Sequence, residues 1–325
     1  MPDRNQRQST PYNFQPNSSP FTIFLRNHKW ALWIAILTIT LLWGYAWVLM
    51  KEAIAYMGPF TFSAFRFGTG SITMLFVVWT LKTGLPPKHT WKHLIIVGIL
   101  QTSVVFLLVM YGLRFVDAGK SSVLLYSMPM FSSLLAVRFL GERLTSAKIT
   151  GLATGMLGLI AILGWDVWTK QGSEIIIGEV LIVLAAVSWG ISNIYYRKKL
   201  ASLSQLQVNT WQMVCGTIGI IIVSIPVEWG EPIILNAKSI YYILFSGVLA
   251  SAFCFTGWFL ILSIVDMVTA TISTLLVPIF GLAFSSLILS ETMTFGTLIG
   301  STLIITGIII AQMAKKKTFP EKVAK

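Results

Sequence analysis

Charge is what this 325-residue sequence has least of: Asp, Glu, Lys and Arg make up 11% of it, against about 25% in an average soluble domain. With 55% hydrophobic residues and a mean hydropathy of +0.76, a soluble chain would have to hide more apolar surface than one core can hold. That excludes a soluble globular enzyme and a nucleic-acid-binding domain. Cysteine is nearly absent as well. Cys215 and Cys254 both lie in apolar runs, which excludes a disulfide scaffold and reads as two small buried hydrophobes. The three histidines, His28, His89 and His93, fall on the flanks of apolar runs, so no metal site is expected. There is no HExxH, no GxSxG and no pair of aspartates, hence no catalytic cluster at depth. Every acidic residue is expected at a span end or in a loop, and Glu52 is the single candidate for a proton carrier. No Walker-type loop is present, so no cofactor is expected and any active movement of solutes would be secondary.

What is there is lipid-compatible length. A bilayer-spanning helix needs about 20 mostly apolar residues, and ten such segments can be read, at roughly 30–50, 61–81, 93–113, 119–140, 146–164, 178–196, 206–226, 239–261, 268–289 and 294–313. The predicted fold is an all-α polytopic membrane protein. The first residues are polar, carry Pro2, Pro11, Pro16 and Pro20, and lack an apolar central run, so 1–29 reads as a disordered cytoplasmic tail and not as a signal peptide. Residues 314–325 form a second, basic tail. Seven of the twelve tryptophans, Trp79 and Trp229 among them, stand near span ends as interfacial anchors do.

The basic residues alternate between flanks. Eighteen of the 24 fall on one set of loops and tails and five on the other (Lys51, Arg114, Lys120, Lys170 and Lys238), with Arg66 alone inside a span. By the positive-inside rule both termini are expected in the cytoplasm of a multi-pass cell-membrane protein, which requires an even number of spans. The net charge of +12 is thereby a topology signal.

The chain also repeats itself. At an offset of 149, Val116-Asp117, Pro129, Phe131, Glu142 and Gly151 face Val265-Asp266, Pro278, Phe280, Glu291 and Gly300; at 146, Trp43-Gly44 faces Trp189-Gly190. Two halves of five spans each, at 30–164 and 178–313, must insert in opposite orientations. Inverted-topology repeats of this kind build alternating-access transporters around a midplane site.

These residues resemble a known family. Trp43-Gly44-Tyr45-Ala46-Trp47 with Lys51-Glu52, then Ala64-Phe65-Arg66-Phe67, is similar to the opening of an EamA-like domain. Met128-Pro129 through Leu140-Gly141-Glu142-Arg143-Leu144, followed by Gly151, is similar to its end, and Val277-Pro278 through Glu291 and Gly300 repeats that end. The resemblance covers about 31–313 and implies the drug/metabolite transporter superfamily. Its ten-helix members surround a central cavity and move small metabolites, often amino acids or relatives, frequently outward. Drug efflux and metabolite import remain open, as does, in a different class, a membrane-embedded enzyme or scaffold. The expected partners are a small metabolite and the lipid bilayer, with a homodimer admitted.

Candidate site residues follow from what is costly or duplicated. Arg66 is an ionisable group inside a span, and it either reaches the headgroups, pairs with Glu52, or holds an anionic substrate group. Trp43 and Trp47, four apart, share one helical face, and their counterparts are Trp189 and Asn193. The pairs are either packing or the walls of a site. Tyr111, Tyr126, Gln212 (opposite Arg66 in the repeat) and Trp258 are further polar or amphipathic groups within spans that could line a site. Pro129 and Pro278 stand mid-span at equivalent points, as kinks or hinges. Glu142 and Glu291 are expected near helix N-termini, and the glycines at 151, 155, 158, 296 and 300 at close helix contacts.

Overall fold

Apolar stretches of spanning length, punctuated by Gly, Pro, Asn and Ser, dictate a sequence of long helices. In the computed structural model the described residues are 24–25, 27–141, 145–168, 172–262 and 273–313, and all regular structure among them is helical. Helices α1 (Lys29–Ala53), α2 (Pro59–Thr80), α3 (Lys88–Gly112), α4 (Ala118–Leu140) and α5 (Ser146–Trp168) come from the first half. The second half supplies α6 (Ser173–Lys199), α7 (Gln205–Val227), α8 (237–262), α9 (Leu276–Ile288) and α10 (Phe295–Met313). Eight of the described helices are long and apolar enough to cross a membrane; Leu276–Ile288 and Phe295–Ala311 are shorter apolar stretches. Of the expected tails, 1–23, 26 and 314–325 lie outside the described residues, as do Glu142, Arg143 and Asp266, whereas 24–25 and 27–29 are described and Lys29 already opens α1.

The surface is that of a lipid-solvated bundle. Trp79 is 73% exposed, Ile72 70% and Leu287 80%, and so many large exposed apolar groups need a non-aqueous neighbour. Inside, Phe62, Met74, Leu94, Met110 and Leu113 are fully buried.

Helix starts are capped by carboxylates borrowed from elsewhere. Gly58 and Pro59 open α2, where the missing proline N–H is no loss. The Glu228 carboxylate accepts from Phe60 N (2.9 Å) and Thr61 N (2.7 Å). Asp117 precedes α4 without capping it by its side chain; the Glu291 carboxylate does so, accepting from Ala118 N at 2.9 Å and Gly119 N at 3.3 Å. Glu291, expected near a helix N-terminus, stands at that of α4 and not at that of α10, which follows it in the chain; the partial positive charge of a helix N-terminus favours an anion there. At the other end of α4, Gly141 at φ 67° provides the left-handed residue that stops the helix.

Two helices widen where polar residues must face inward. α3 is π-helical over Ile99–Val104 and α8 over Phe245–Phe253; the first residues of these stretches are 146 apart, the spacing of the repeat. π-Bulges of this kind are frequent at functional sites. α4 breaks at Tyr126–Ser127, and a turn at Leu275 occupies the corresponding point before α9.

Contacts recur in the same register. A Cβ on Gly44 would lie 2.5 Å from Phe280 Cβ, and one on Gly190 would lie 3.1 Å from Phe131 Cβ, so α1 meets α9 as α6 meets α4. Between α5 and α10, Gly151 faces the backbone of Gly307 and Gly158 that of Gly300. Ser71 and Thr217, equivalent residues of α2 and α7, share a hydrogen bond of 3.0 Å with each other.

Candidate functional site

α1, α2, α4, α6 and α8 converge on a cavity of about 150 Å³ whose lining includes Trp43, Trp47, Arg66, Tyr126, Trp189 and Trp258. Six of the nine residues expected at a site from sequence are therefore brought together. The four-residue spacing of Trp43 and Trp47 places both on the inner face of α1, as anticipated. Trp43 is held edge-on against Trp258 (ring centroids 5.7 Å) and Phe255 (5.4 Å), and its indole N–H donates to Ala250 O at 2.8 Å. That carbonyl lies in the π-helical stretch of α8. Trp43 is thus a fixed wall, its one donor already used.

Arg66 is 6% exposed, so it does not reach the headgroups, and it does not pair with Glu52, which is exposed and accepts from Tyr242 Oη at 3.4 Å. Its guanidinium lies 5.0 and 4.8 Å from the ring centroids of Phe67 and Phe106, at cation–π range. One terminal nitrogen contacts Met50 Sδ and Nε approaches Ser251 Oγ at 3.5 Å. Among the described residues no carboxylate pairs with it. A buried cation held only by aromatic faces, a thioether and one hydroxyl still lacks a counter-ion.

Phe255 and Trp258 also wall a second cavity of about 180 Å³, lined by Gln101, Asn193, Tyr196, Gln205, Val208, Asn209 and Gln212. Asn193 and Gln212 therefore sit in an adjoining amide-lined chamber and not beside Arg66. Asn193 Nδ2 is 3.4 Å from Met128 Sδ and 3.3 Å from Ser132 Oγ, across to α4. Gln212 Oε1 accepts from Thr102 Oγ1 at 2.7 Å, and its Nε2 donates to Asn209 Oδ1 at 3.2 Å.

Three expected residues lie elsewhere. Tyr111 is 37% exposed, stacked on Phe60 and beneath Arg114, and lines neither cavity. Pro129 and Pro278 do not interrupt continuous helices. Pro129 is the second residue of the segment Met128–Leu140 that restarts after the break, and Pro278 the third of Leu276–Ile288. There a missing N–H costs no helical hydrogen bond.

Sequence reasoning missed Gln101, Phe106, Asn209 and Phe255. Asn209 stands three residues before Gln212 on the same helical face, a signal that was there to be used. A further expectation is corrected: acidic residues are not confined to span ends. Glu179 is 0% exposed, within α6, and pairs with the buried Lys120 of α4 at 3.0 Å. α6 begins at Ser173, five residues before the predicted 178, which draws Glu179 inside the bundle.

The sequence profile of the EamA-like transporter family matches residues 28–164 and 176–313. The "Uncharacterized transporter YoaV" of Bacillus subtilis (strain 168) is 30% identical over 278 residues, 85% of this chain and 95% of its own. The "Probable terminal-alkyne amino-acid exporter" of Streptantibioticus cattleyicolor is 26% identical over 86% of this chain and 92% of its own. A protein crystal structure with 17% identity superposes with a TM-score of 0.62 over 90% of this chain and 100% of its own, a likeness of fold. With that profile matching both halves and a relative of 30% identity covered almost end to end, the chain belongs to the EamA-like transporter family.

Proposed function

We propose that this protein is a secondary transporter of the cell membrane that exports a small amino-acid-related metabolite by alternating access. The observation that carries the reading is Arg66, buried without a carboxylate on the wall of a tryptophan-lined cavity. A substrate carboxylate supplies the missing counter-charge through charge-assisted hydrogen bonds. The indole faces around the cavity offer a place for the ammonium of the same molecule, and no carboxylate lines the cavity to compete for it. Arg66 correspondingly disfavours lipophilic cationic drugs. A relative of 26% identity whose name describes an amino-acid exporter supports both the substrate class and the direction.

Ten spans in two inverted five-helix halves, with both termini cytoplasmic, complete the proposal. The eighteen-to-five division of basic residues and the paired contacts of Gly44 and Gly190 support it. In such a fold the two halves exchange conformations to expose a central site to each side in turn.

Flux of labelled amino acids in proteoliposomes tests the reading. A charge-assisted hydrogen bond contributes about 1.5–3 kcal/mol, so Arg66→Gln lowers flux of carboxylate-bearing substrates roughly 10- to 150-fold and spares their methyl esters. Equal loss for acid and ester, or no flux in the wild type across a broad amino-acid panel, refutes it.

A further inference from the structure

The amide-lined chamber beside the tryptophan cavity has a directed hydrogen-bond chain with an open end. Thr102 Oγ1 has a proton to give and gives it to Gln212 Oε1. In this arrangement Gln212 turns its nitrogen toward Asn209, whose Oδ1 accepts. Asn209 Nδ2 is left as the terminal donor, and among the described residues it has no partner although Asn209 is 5% exposed. A buried amide donor without an acceptor is costly unless something that enters the site satisfies it. The chamber's lining carries no ionisable acid or base other than the Tyr196 phenol. No full charge in the lining offsets that of an entering ion, so a neutral acceptor enters at a lower desolvation cost.

We propose that this chamber is a second subsite of the transported molecule, in which Asn209 donates to a neutral carbonyl or carboxamide oxygen. The inference rests on the assignment of the substrate carboxylate to Arg66, and it names the remainder of the molecule. The substrate class is an amino acid whose side chain crosses the Phe255–Trp258 wall shared by the two cavities and ends in a neutral hydrogen-bond acceptor. The repeat gives the chamber its independent geometric basis. Asn193 and Gln212 stand at the positions equivalent to Trp47 and Arg66, so the chamber is the second half's version of the charged cavity, with amides in place of indole and guanidinium.

Two probes of nearly equal shape separate the acceptor from its apolar twin: para-acetyl-L-phenylalanine and para-isopropyl-L-phenylalanine. Their binding to the full chain in lipid nanodiscs is measured by titration calorimetry. The wild type should prefer the acetyl compound about tenfold, the scale of one buried neutral hydrogen bond. Asn209→Leu should bring the acetyl-to-isopropyl ratio to about one, and Asn209→Ala serves the same purpose if the leucine variant does not fold. A wild-type ratio near one, or a preference that survives removal of the Asn209 amide, overturns the chamber assignment alone. Arg66→Gln provides the separate arm. If both probes bind the wild type and are equally indifferent to Arg66→Gln, the carboxylate assignment falls; if neither binds the wild type, both assignments fall.

Discussion

The reciprocal glycine contact between α5 and α10 makes a quantitative prediction. A Cβ added at Gly307 would meet Gly151 O at 2.5 Å and Gly155 N at 2.6 Å; one added at Gly158 would meet Gly300 O at 2.6 Å and Ile304 N at 2.8 Å. In each case the obstructing atoms are backbone, so no rotamer change relieves the clash and the helices must separate. The retreat from 2.5 Å to ordinary contact at 3.4 Å is about 0.9 Å along the whole interface, which forfeits much of its dispersion energy. Overpacking of this sort costs about 1–3 kcal/mol, offset in part by alanine's helix propensity, which exceeds glycine's by about 1 kcal/mol. Gly68 in α2 is the internal control, because nothing lies within 4 Å of a Cβ there, and Gly68→Ala should be neutral or slightly stabilising. The assay is thermal unfolding of the purified chain in one detergent, followed by size exclusion. Gly158 and Gly307 are equivalent under the 149-residue repeat, so Gly158→Ala and Gly307→Ala should lower the midpoint by similar amounts. If Gly307→Ala is as stable as Gly68→Ala, or if only one of the two equivalent glycines is sensitive, the reciprocal backbone contact is refuted.

Other perturbations follow from the charged groups. Removing one member of the buried Lys120–Glu179 pair, as in Lys120→Met, should destabilise the protein by about 3–5 kcal/mol, and Lys120→Met/Glu179→Met together should recover most of that loss; additive losses in the thermal midpoint would contradict it. Glu291→Gln weakens two backbone bonds to α4 and should cost about 1–2 kcal/mol, with faster amide exchange localised to Ala118 and Gly119. In intact cells a membrane-impermeant maleimide should label Lys238→Cys and, until the cells are permeabilised, spare Lys82→Cys; labelling of both in intact cells would overturn the proposed orientation.

The sequence made the helices legible because lipid leaves so little choice: backbone polar groups must be satisfied within each span, and hydropathy therefore reports element and length together. The repeat was legible because Gly44, Gly151 and Gly300 sit where only a glycine lets backbones meet. Much of the cavity followed from the same duplication, since Trp43, Trp47 and Trp189 are inward residues of equivalent helices. The π-helical stretches were not legible. Ile99–Val104 has no Pro or Gly to announce a widened turn, yet that turn helps bring Gln101 to the chamber wall and Thr102 to Gln212. Nor did the sequence reveal which way Arg66 points, because a guanidinium about five residues into a span has reach enough for the headgroups, for Glu52 or for the cavity. Packing of Phe67 and Phe106 beside the group selects the cavity. Glu179 was misplaced for a simpler reason, a helix start five residues earlier than hydropathy alone suggested.

Two halves with the same helices do not have to present the same chemistry, and here the divergence is concentrated where it affects binding. Between the first and second halves Trp43 and Trp189 are unchanged, but Trp47 becomes Asn193 and Arg66 becomes Gln212. Each replacement puts a shorter neutral amide where the first half has an indole or a charge. A symmetric site with an arginine at both positions would hold two buried cations near the same midplane, and their mutual repulsion and desolvation would together oppose closure. Retaining the charge in one half only leaves a single cation, so in the mechanism proposed above one substrate anion suffices to neutralise it. Under that proposal closure is easier with an anionic substrate bound than with the site empty, because only then is the Arg66 charge compensated in low dielectric. The proposed preference for moving loaded over empty would then follow from Arg66 and from Gln212 standing where its twin would be.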